Sequence, residues 1–247
     1  MAFYIKSERE IAGIRQAGRV VAATLKLVAE AVRPGISLKE LEAVCVANIQ
    51  AQGGKPTFLG YRGFPAAVCI SVNEEVVHGI PDSRVLAAGD IVKVDIGVTK
   101  DGFIADAART FEVGTVQPEV HALVSATEQA FWKGVAQARP GNRVSDVSRA
   151  IQEFVEAQGY SVVRELHGHG VGLELHEEPA VPNFVMPGKG PKLVKGMVLA
   201  IEPMVNMGKL DVRTSANGWT VVAVDGKPSA HYENTVLITD GEPEILT

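Results

Sequence analysis

The chain is built twice on one plan, and that repetition constrains its fold more than any single motif. Arg33-Pro34-Gly35 recurs as Arg139-Pro140-Gly141, and Ala51-Gln52-Gly53 recurs as Ala157-Gln158-Gly159, at the same offset. Each Pro-Gly lies between two helical patterns. Before the first, Ile11, Ile14, Gly18, Val21, Leu25 and Val28 form a helical stripe, with Ser7 as N-cap and Glu10 completing a capping box. After it, Ser37 caps a helix that turns Leu38, Leu41, Val44, Cys45 and Ile49 toward the core. The second half repeats this with Val124, Phe131 and Val135, then Val144, Val147, Ile151, Phe154 and Val155. Strand-like sequence follows each helix pair. Pro-Gly turns are common, but agreement at separate places with one offset favours duplication.

The repeat carries acids with it. Gly89-Asp90-Ile91-Val92-Lys93-Val94-Asp95 lines up with Gly196-Met197-Val198-Leu199-Ala200-Ile201-Glu202, so Asp95 matches Glu202. Asp106 and Glu233 form the natural second pair, one from each half, and a two-fold arrangement brings all four carboxylates to a common axis. Asp95 and Asp106 flank the turn signal Thr99-Lys100-Asp101-Gly102. A four-residue loop would set them opposite each other and a two-residue Asp-Gly turn would make them diagonal neighbours; both registers put them on one sheet face. Charges in such apolar runs are costly unless they are paired or coordinate a cation. Two divalent ions would balance four carboxylates, and dinuclear sites activate water for hydrolysis.

Histidine supplies the remaining ligand type. His169 lies in His167-Gly168-His169-Gly170, where the glycines permit close backbone approach, and His167 is nearly as good a candidate because alternate residues of an extended segment share a face. His78 and His176 each end an apolar segment at a turn, where a histidine is more often structural than chemical; His121 on a helix and His231 beside the site are weaker still. The 247 residues suffice for a sizeable core, and a net charge of −5 argues against an electrostatic nucleic-acid binder. Cys45 and Cys69 make neither a disulfide framework nor a zinc spacing, which fits a reducing compartment. The first ten residues turn acidic before a signal-peptide core could form, and no run approaches membrane-spanning length, so the cytoplasm is the expected location.

At these residues the chain resembles the methionine aminopeptidases, in their short bacterial type I form. The resemblance runs through Cys69-Ile70-Ser71-Val72-Asn73-Glu74-Glu75-Val76-Val77-His78-Gly79-Ile80-Pro81, the Val-Asp-Ile-Gly stretch at Asp95, and Ala105-Asp106-Ala107-Ala108-Arg109-Thr110. It continues through Gly168-His169-Gly170-Val171-Gly172, His176-Glu177-Glu178-Pro179, Ile201-Glu202-Pro203 and Tyr232-Glu233-Asn234-Thr235. It implies an α+β pita-bread fold: a pseudo-two-fold repeat of a helix pair plus antiparallel sheet around a central dinuclear site. The chain would form a single catalytic domain over 1–247, with halves of approximately 1–114 and 115–247.

The same resemblance assigns roles. Asp95 would chelate one metal, Asp106 and Glu233 would bridge both, and His169 and Glu202 would complete the coordination of the second metal, with a hydroxide between the metals as nucleophile. Glu202 would shuttle protons, His176 would donate to the developing oxyanion, and His78 would contact the scissile amide nitrogen. Phe58, Tyr61, Cys69 and Trp219 would wall the methionine pocket, with His78 at its edge and Leu175 nearby; Phe58 and Leu175 are positions where family members differ. Oxygen-rich ligation with one imidazole suits Co, Mn or Fe(II), with Zn and Ni as further candidates. A monovalent cation is implied near Asn73, Glu75 and Ser229. The implied activity is removal of N-terminal methionine from nascent proteins before a small second residue, by a monomer in transient contact with the ribosome through its own surface. A proline-specific pita-bread peptidase is the nearest alternative, although such enzymes carry an added N-terminal domain. A non-catalytic binding protein of this fold is disfavoured by the complete ligand set, and the type II form by the short segment between His176 and Glu202.

Overall fold

Ser7 caps the first helix as its sequence context requires: the Glu10 backbone N–H donates to Ser7 Oγ at 3.4 Å and the Ser7 N–H donates to Glu10 Oε2 at 2.7 Å. The structure, a computed structural model, describes residues 3–247. Helix α1 spans Glu8–Ala31 and α2 spans Leu38–Ala51, the latter capped by Ser37 and Glu40 in the same reciprocal way. Helix α3, Pro118–Val135, starts on a proline whose missing N–H costs nothing there, and α4 covers Val144–Ala157. The apolar stripes face inward, with small departures: Leu123 is the buried residue where Val124 was expected, and Val44 and Phe154 are only half-buried. Gly18 belongs to its stripe because the C-terminal Leu246 carbonyl lies where a Cβ would be.

The repeat is visible in the backbone. Gly35 and Gly141, Gly53 and Gly159, and Gly89 and Gly196 all hold positive φ, from 72° to 97°. Every ladder among the described residues is antiparallel. In the first half, strands Ile91–Lys100 and Phe103–Glu112 form a hairpin closed by Asp101 (φ 50°) and Gly102 (φ 84°), and Cys69–Val72 pairs with the far edge of Ile91–Lys100. Positive φ at both central residues is the type I′ geometry that suits strand twist. In the second half, Asn234–Leu237, Val198–Ile201 and His167–Gly170 lie in order within a five-stranded sheet.

The halves differ in one respect that the repeat alone does not reveal. Val198–Ile201 and Asn234–Leu237 are not a local hairpin, because residues 204–231 make an excursion of short strands between them. One of these, Val221–Ala223, pairs with Glu75–Val77 and returns Trp219 to the first half.

Two cores result. Val92, Val94, Ile96 and Val98 pack with α1 and α2, whereas Leu199 and Ile201 pack with α3 and α4. Side chains alternate along a strand, so Asp95 and Glu202 point away from their helix pairs. The acids are thereby delivered to the space between the halves.

Candidate metal centre

Asp95, Asp106, His169, Glu202 and Glu233 all line one cavity of about 300 Å³. The two-residue turn makes Asp95 and Asp106 diagonal neighbours, with Asp95 opposite Ala108 and Asp106 opposite Gly97. Glu202 and Glu233 lie just beyond the Ile201–Asn234 pair of their ladder. Ligand atoms of Asp106, His169 and Glu233 fall within 4.8 Å of one another. His169 Nε2 stands 3.5 Å from Glu202 Oε1 and 3.7 Å from Asp106 Oδ2.

Electrostatics marks this cluster as incomplete without cations. Burial first, then the Asp106 charge, holds the Asp95 carboxyl well above its ordinary range; burial raises Asp106 to about 7 against the hydrogen bond from Thr235. Glu202 and Glu233 are likewise raised, by burial and then by the other acids. Among the described residues no lysine or arginine pairs with any of the four, and Asp95 Oδ1 is buried without a partner. An unpaired buried oxygen within four convergent acids fits divalent metal, whose charge would replace the missing counter-ions.

The two histidines that the strand pattern left open separate by burial. His169 is 6% exposed and His167 lies exposed at the mouth of the cleft. His169 Nδ1 sits 2.9 Å from the Gly170 carbonyl, which only accepts, so Nδ1 carries the proton and Nε2 offers its lone pair to the acids. Burial pushes this imidazole down to about 4, which keeps it neutral. His78 follows strand Glu75–Val77 in a left-handed conformation, φ 57°, and its ring lines the cavity. His176 stacks on Tyr61 and lies 4.3 Å, centroid to centroid, from His169. His121 is exposed beside Glu112, away from the cavity.

Phe58, Tyr61, Cys69, Leu175 and Trp219 line the same cavity. Phe58 is seated against Gly97, where a Cβ would lie 2.5 Å from its ring, so glycine at that position leaves room for the wall beside the acids. Phe64 meets Trp219 edge-on at 5.2 Å and also lines the cleft, as do Val77, Leu166 and Met204.

Several neighbours of the site escape sequence reasoning. Thr235 Oγ1 accepts from the Asp106 N–H at 3.0 Å and lies 3.0 Å from Asp106 Oδ1. Arg109 donates to Asn234 Oδ1 at 2.7 Å and stacks over Tyr232, holding the segment that carries Glu233. His231 does lie beside the cavity, yet its Nε2 is 3.6 Å from Glu202 Oε2, and both its ring nitrogens are buried without hydrogen bonds. Near Asn73, Glu75 and Ser229 the donors do not fit a free monovalent cation. The Asn73 carbonyl accepts from Lys93 Nζ at 2.7 Å and from the Ser229 N–H, while Glu75 is engaged by the Val72 N–H and Arg84. A lysine in an apolar strand reads as outward-facing, so nothing in the sequence pattern signals this buried amine.

Known proteins match this architecture closely. Residues 12–240 match metallopeptidase family M24. A methionine aminopeptidase of Clostridium perfringens is 54% identical, with 98% of each chain covered, and methionine aminopeptidase 1 of Bacillus subtilis is 50% identical, again over 98% of each. The solved methionine aminopeptidase from Thermotoga maritima, 44% identical, superposes with a TM-score of 0.98 over 100% of this chain and 99% of that one. A prolidase from Pyrococcus furiosus shares the fold, with a TM-score of 0.79 at 24% identity, but only 65% of its length is covered. By family match, full-length identity and fold, the chain belongs to metallopeptidase family M24 and, within it, to the methionine aminopeptidases.

Proposed function

We propose that this protein removes the N-terminal methionine from nascent polypeptides and peptides, with preference for a small second residue. The observation that carries the reading is the convergence of Asp95, Asp106, His169, Glu202 and Glu233 on the floor of a cavity walled by Phe58, Tyr61, Cys69 and Trp219. Those five would hold two divalent ions, Co, Mn or Fe(II) by the oxygen-rich donor set and Zn or Ni as further candidates, with Asp95 serving one ion, Asp106 and Glu233 both, and His169 and Glu202 the other. Bound there, the ions would supply an ionised water near neutral pH and polarise the scissile carbonyl.

The chain's own groups complete the chemistry. The Tyr61 hydroxyl lies 2.8 Å from His176 Nδ1. If the phenol donates there, the neutral imidazole carries its proton on Nε2, which suits a donor to the developing oxyanion. Partial desolvation inside the cleft, followed by the neighbouring His169 imidazole, which would resist a second positive charge, pushes His176 down to about 3 and favours that neutral form. Glu202 moves the proton from water toward the leaving amine, and His78 contacts the scissile nitrogen. Near Asn73 the Lys93 amine takes the place that a monovalent cation would occupy. We read 1–247 as one catalytic domain with halves of approximately 1–114 and 115–247, a reading supported by the larger core, which draws Val171, Leu175, Val198 and Leu237 from the second half.

We further read the protein as a cytoplasmic monomer that meets nascent chains at the ribosome through its own surface, without nucleic-acid specificity. No helix among the described residues is long and apolar enough to cross a membrane. Turnover of Met-Ala-Ser by protein reconstituted with Co, Mn or Fe(II), with the as-isolated metal determined anaerobically, tests the reading. Absence of turnover with all of them would overturn it.

A further inference from the structure

The segment before α1 ends in a lysine that reaches across the molecule. Lys6 is 4% exposed, and its Nζ pairs closely with Glu177 Oε2. The other oxygen, Glu177 Oε1, accepts the backbone N–H of Leu173 at 2.7 Å and of Glu174 at 3.0 Å. One carboxylate thus organises the turn over residues 172–177 and hands it to the N-terminal segment. The backbone joins in: the Lys6 N–H donates to Gly196 O at 2.9 Å, and the Ile104 N–H donates to Gly172 O at 2.7 Å. Gly172 has a φ of 143°, and a Cβ there would lie 2.5 Å from Ile14 Cδ1 and 2.8 Å from Lys6 Cε, so the lysine stem lies against the start of the turn.

This turn carries Leu175, in the cleft wall, and His176. The His176 ring is exposed and makes one side-chain hydrogen bond, to Tyr61, so its place depends on the turn's backbone. Removing Lys6 would leave the Glu177 charge largely buried without its counter-charge, and such a carboxylate seeks water or a new partner. Either response loosens the turn.

We infer that Lys6 is a positioning residue for His176, acting through the Glu177 carboxylate; this rests on the reading of His176 as a group that touches substrate. Lys6→Met is expected to lower kcat on Met-Ala-Ser about ten- to hundredfold, the range that small misplacement of reacting groups produces. Lys6→Arg should recover a large part of the loss. The metal content should stay at the wild-type level, and the His176 imidazole signals in 1H–15N spectra of the metal-free protein should shift. Arg15→Leu, which breaks the separate pair between α1 and Glu244, should leave kcat unchanged. If Lys6→Met fails to fold, Lys6→Gln, which keeps a donor without the charge, carries the same comparison. Folded Lys6 variants with wild-type kcat and unshifted His176 signals, beside a His176→Ala variant that loses activity, would overturn the inference alone. A fully active His176→Ala variant would instead overturn the reading of His176 on which it rests.

Discussion

Cys69 and Asp95 stand opposite each other across the ladder between Cys69–Val72 and Ile91–Lys100. The wall of the cleft and its acidic floor are therefore neighbouring positions on one sheet face. Burial, reinforced by Asp95 and Glu233, raises the Cys69 thiol well above its ordinary value, and burial raises Cys45 to about 12. Both thiols should therefore resist iodoacetamide in the native protein, since the thiolate is the reactive species. Labelling of native protein at the rate of the denatured chain would show that the wall is open.

Glu202→Gln should fold and lose activity. The change keeps the shape of the side chain while removing a ligand charge and the proposed proton carrier together. A loss of roughly a hundred- to thousandfold in kcat is expected. Turnover near the wild-type level, with metal restored, would take Glu202 out of the mechanism.

Chelation should destabilise the fold in a pH-dependent way. Asp106 is raised from 3.8 to about 7 in the metal-free site, so the native state binds protons that the unfolded chain has released. Its contribution to stability is complete below the unfolded value and is lost as pH rises through about 7; Asp95, Glu202 and Glu233 shift in the same direction. The melting temperature of chelated protein should therefore fall from mildly acidic to neutral pH. Divalent metal should restore it most at neutral pH, by binding the native state. A melting curve unaffected by confirmed metal removal would mean that the acids do not converge.

Much of this site was readable from residue order, and what was not has definite causes. Period-two alternation placed Asp95 and Asp106 on one face whichever turn closed the hairpin but left the turn open; the pairing of Lys100 with Phe103 makes it the two-residue Asp101-Gly102 turn. The same alternation could not separate His167 from His169; burial does, and burial is set by strands from elsewhere in the chain. The repeat matched Glu202 to Asp95 but was silent on the excursion that carries Trp219 back to the cleft. Lys6 with Glu177, and Tyr61 with His176, are pairs joined only by the tertiary fold, so no local pattern announces them.

Gly97→Ala should act on the pocket more than on the metals. Its Cβ would meet the Phe58 ring at 2.5 Å, and the ring, which lines the cleft, has to shift. Overpacking of this kind costs about 1–3 kcal/mol in stability. KM for methionyl peptides should rise several-fold while metal content stays at the wild-type level. An unchanged KM would place Phe58 outside the pocket.

Selectivity at both ends of the cleaved bond is the most direct measurement. A wall of Phe58, Tyr61, Cys69 and Trp219 should reward a long apolar first side chain by a few kcal/mol, on the order of burying a core residue. If the second side chain lies beside His78 and His176 with little space, as the family resemblance implies, discrimination follows from binding that a clash prevents. On a panel assayed with metal-loaded protein, Met-Ala, Met-Gly and Met-Ser peptides should be cleaved, and Met-Lys, Met-Phe and Ala-Pro peptides largely spared. Equal cleavage whatever the first residue, or efficient removal of alanine before proline, would refute methionine removal as this protein's activity.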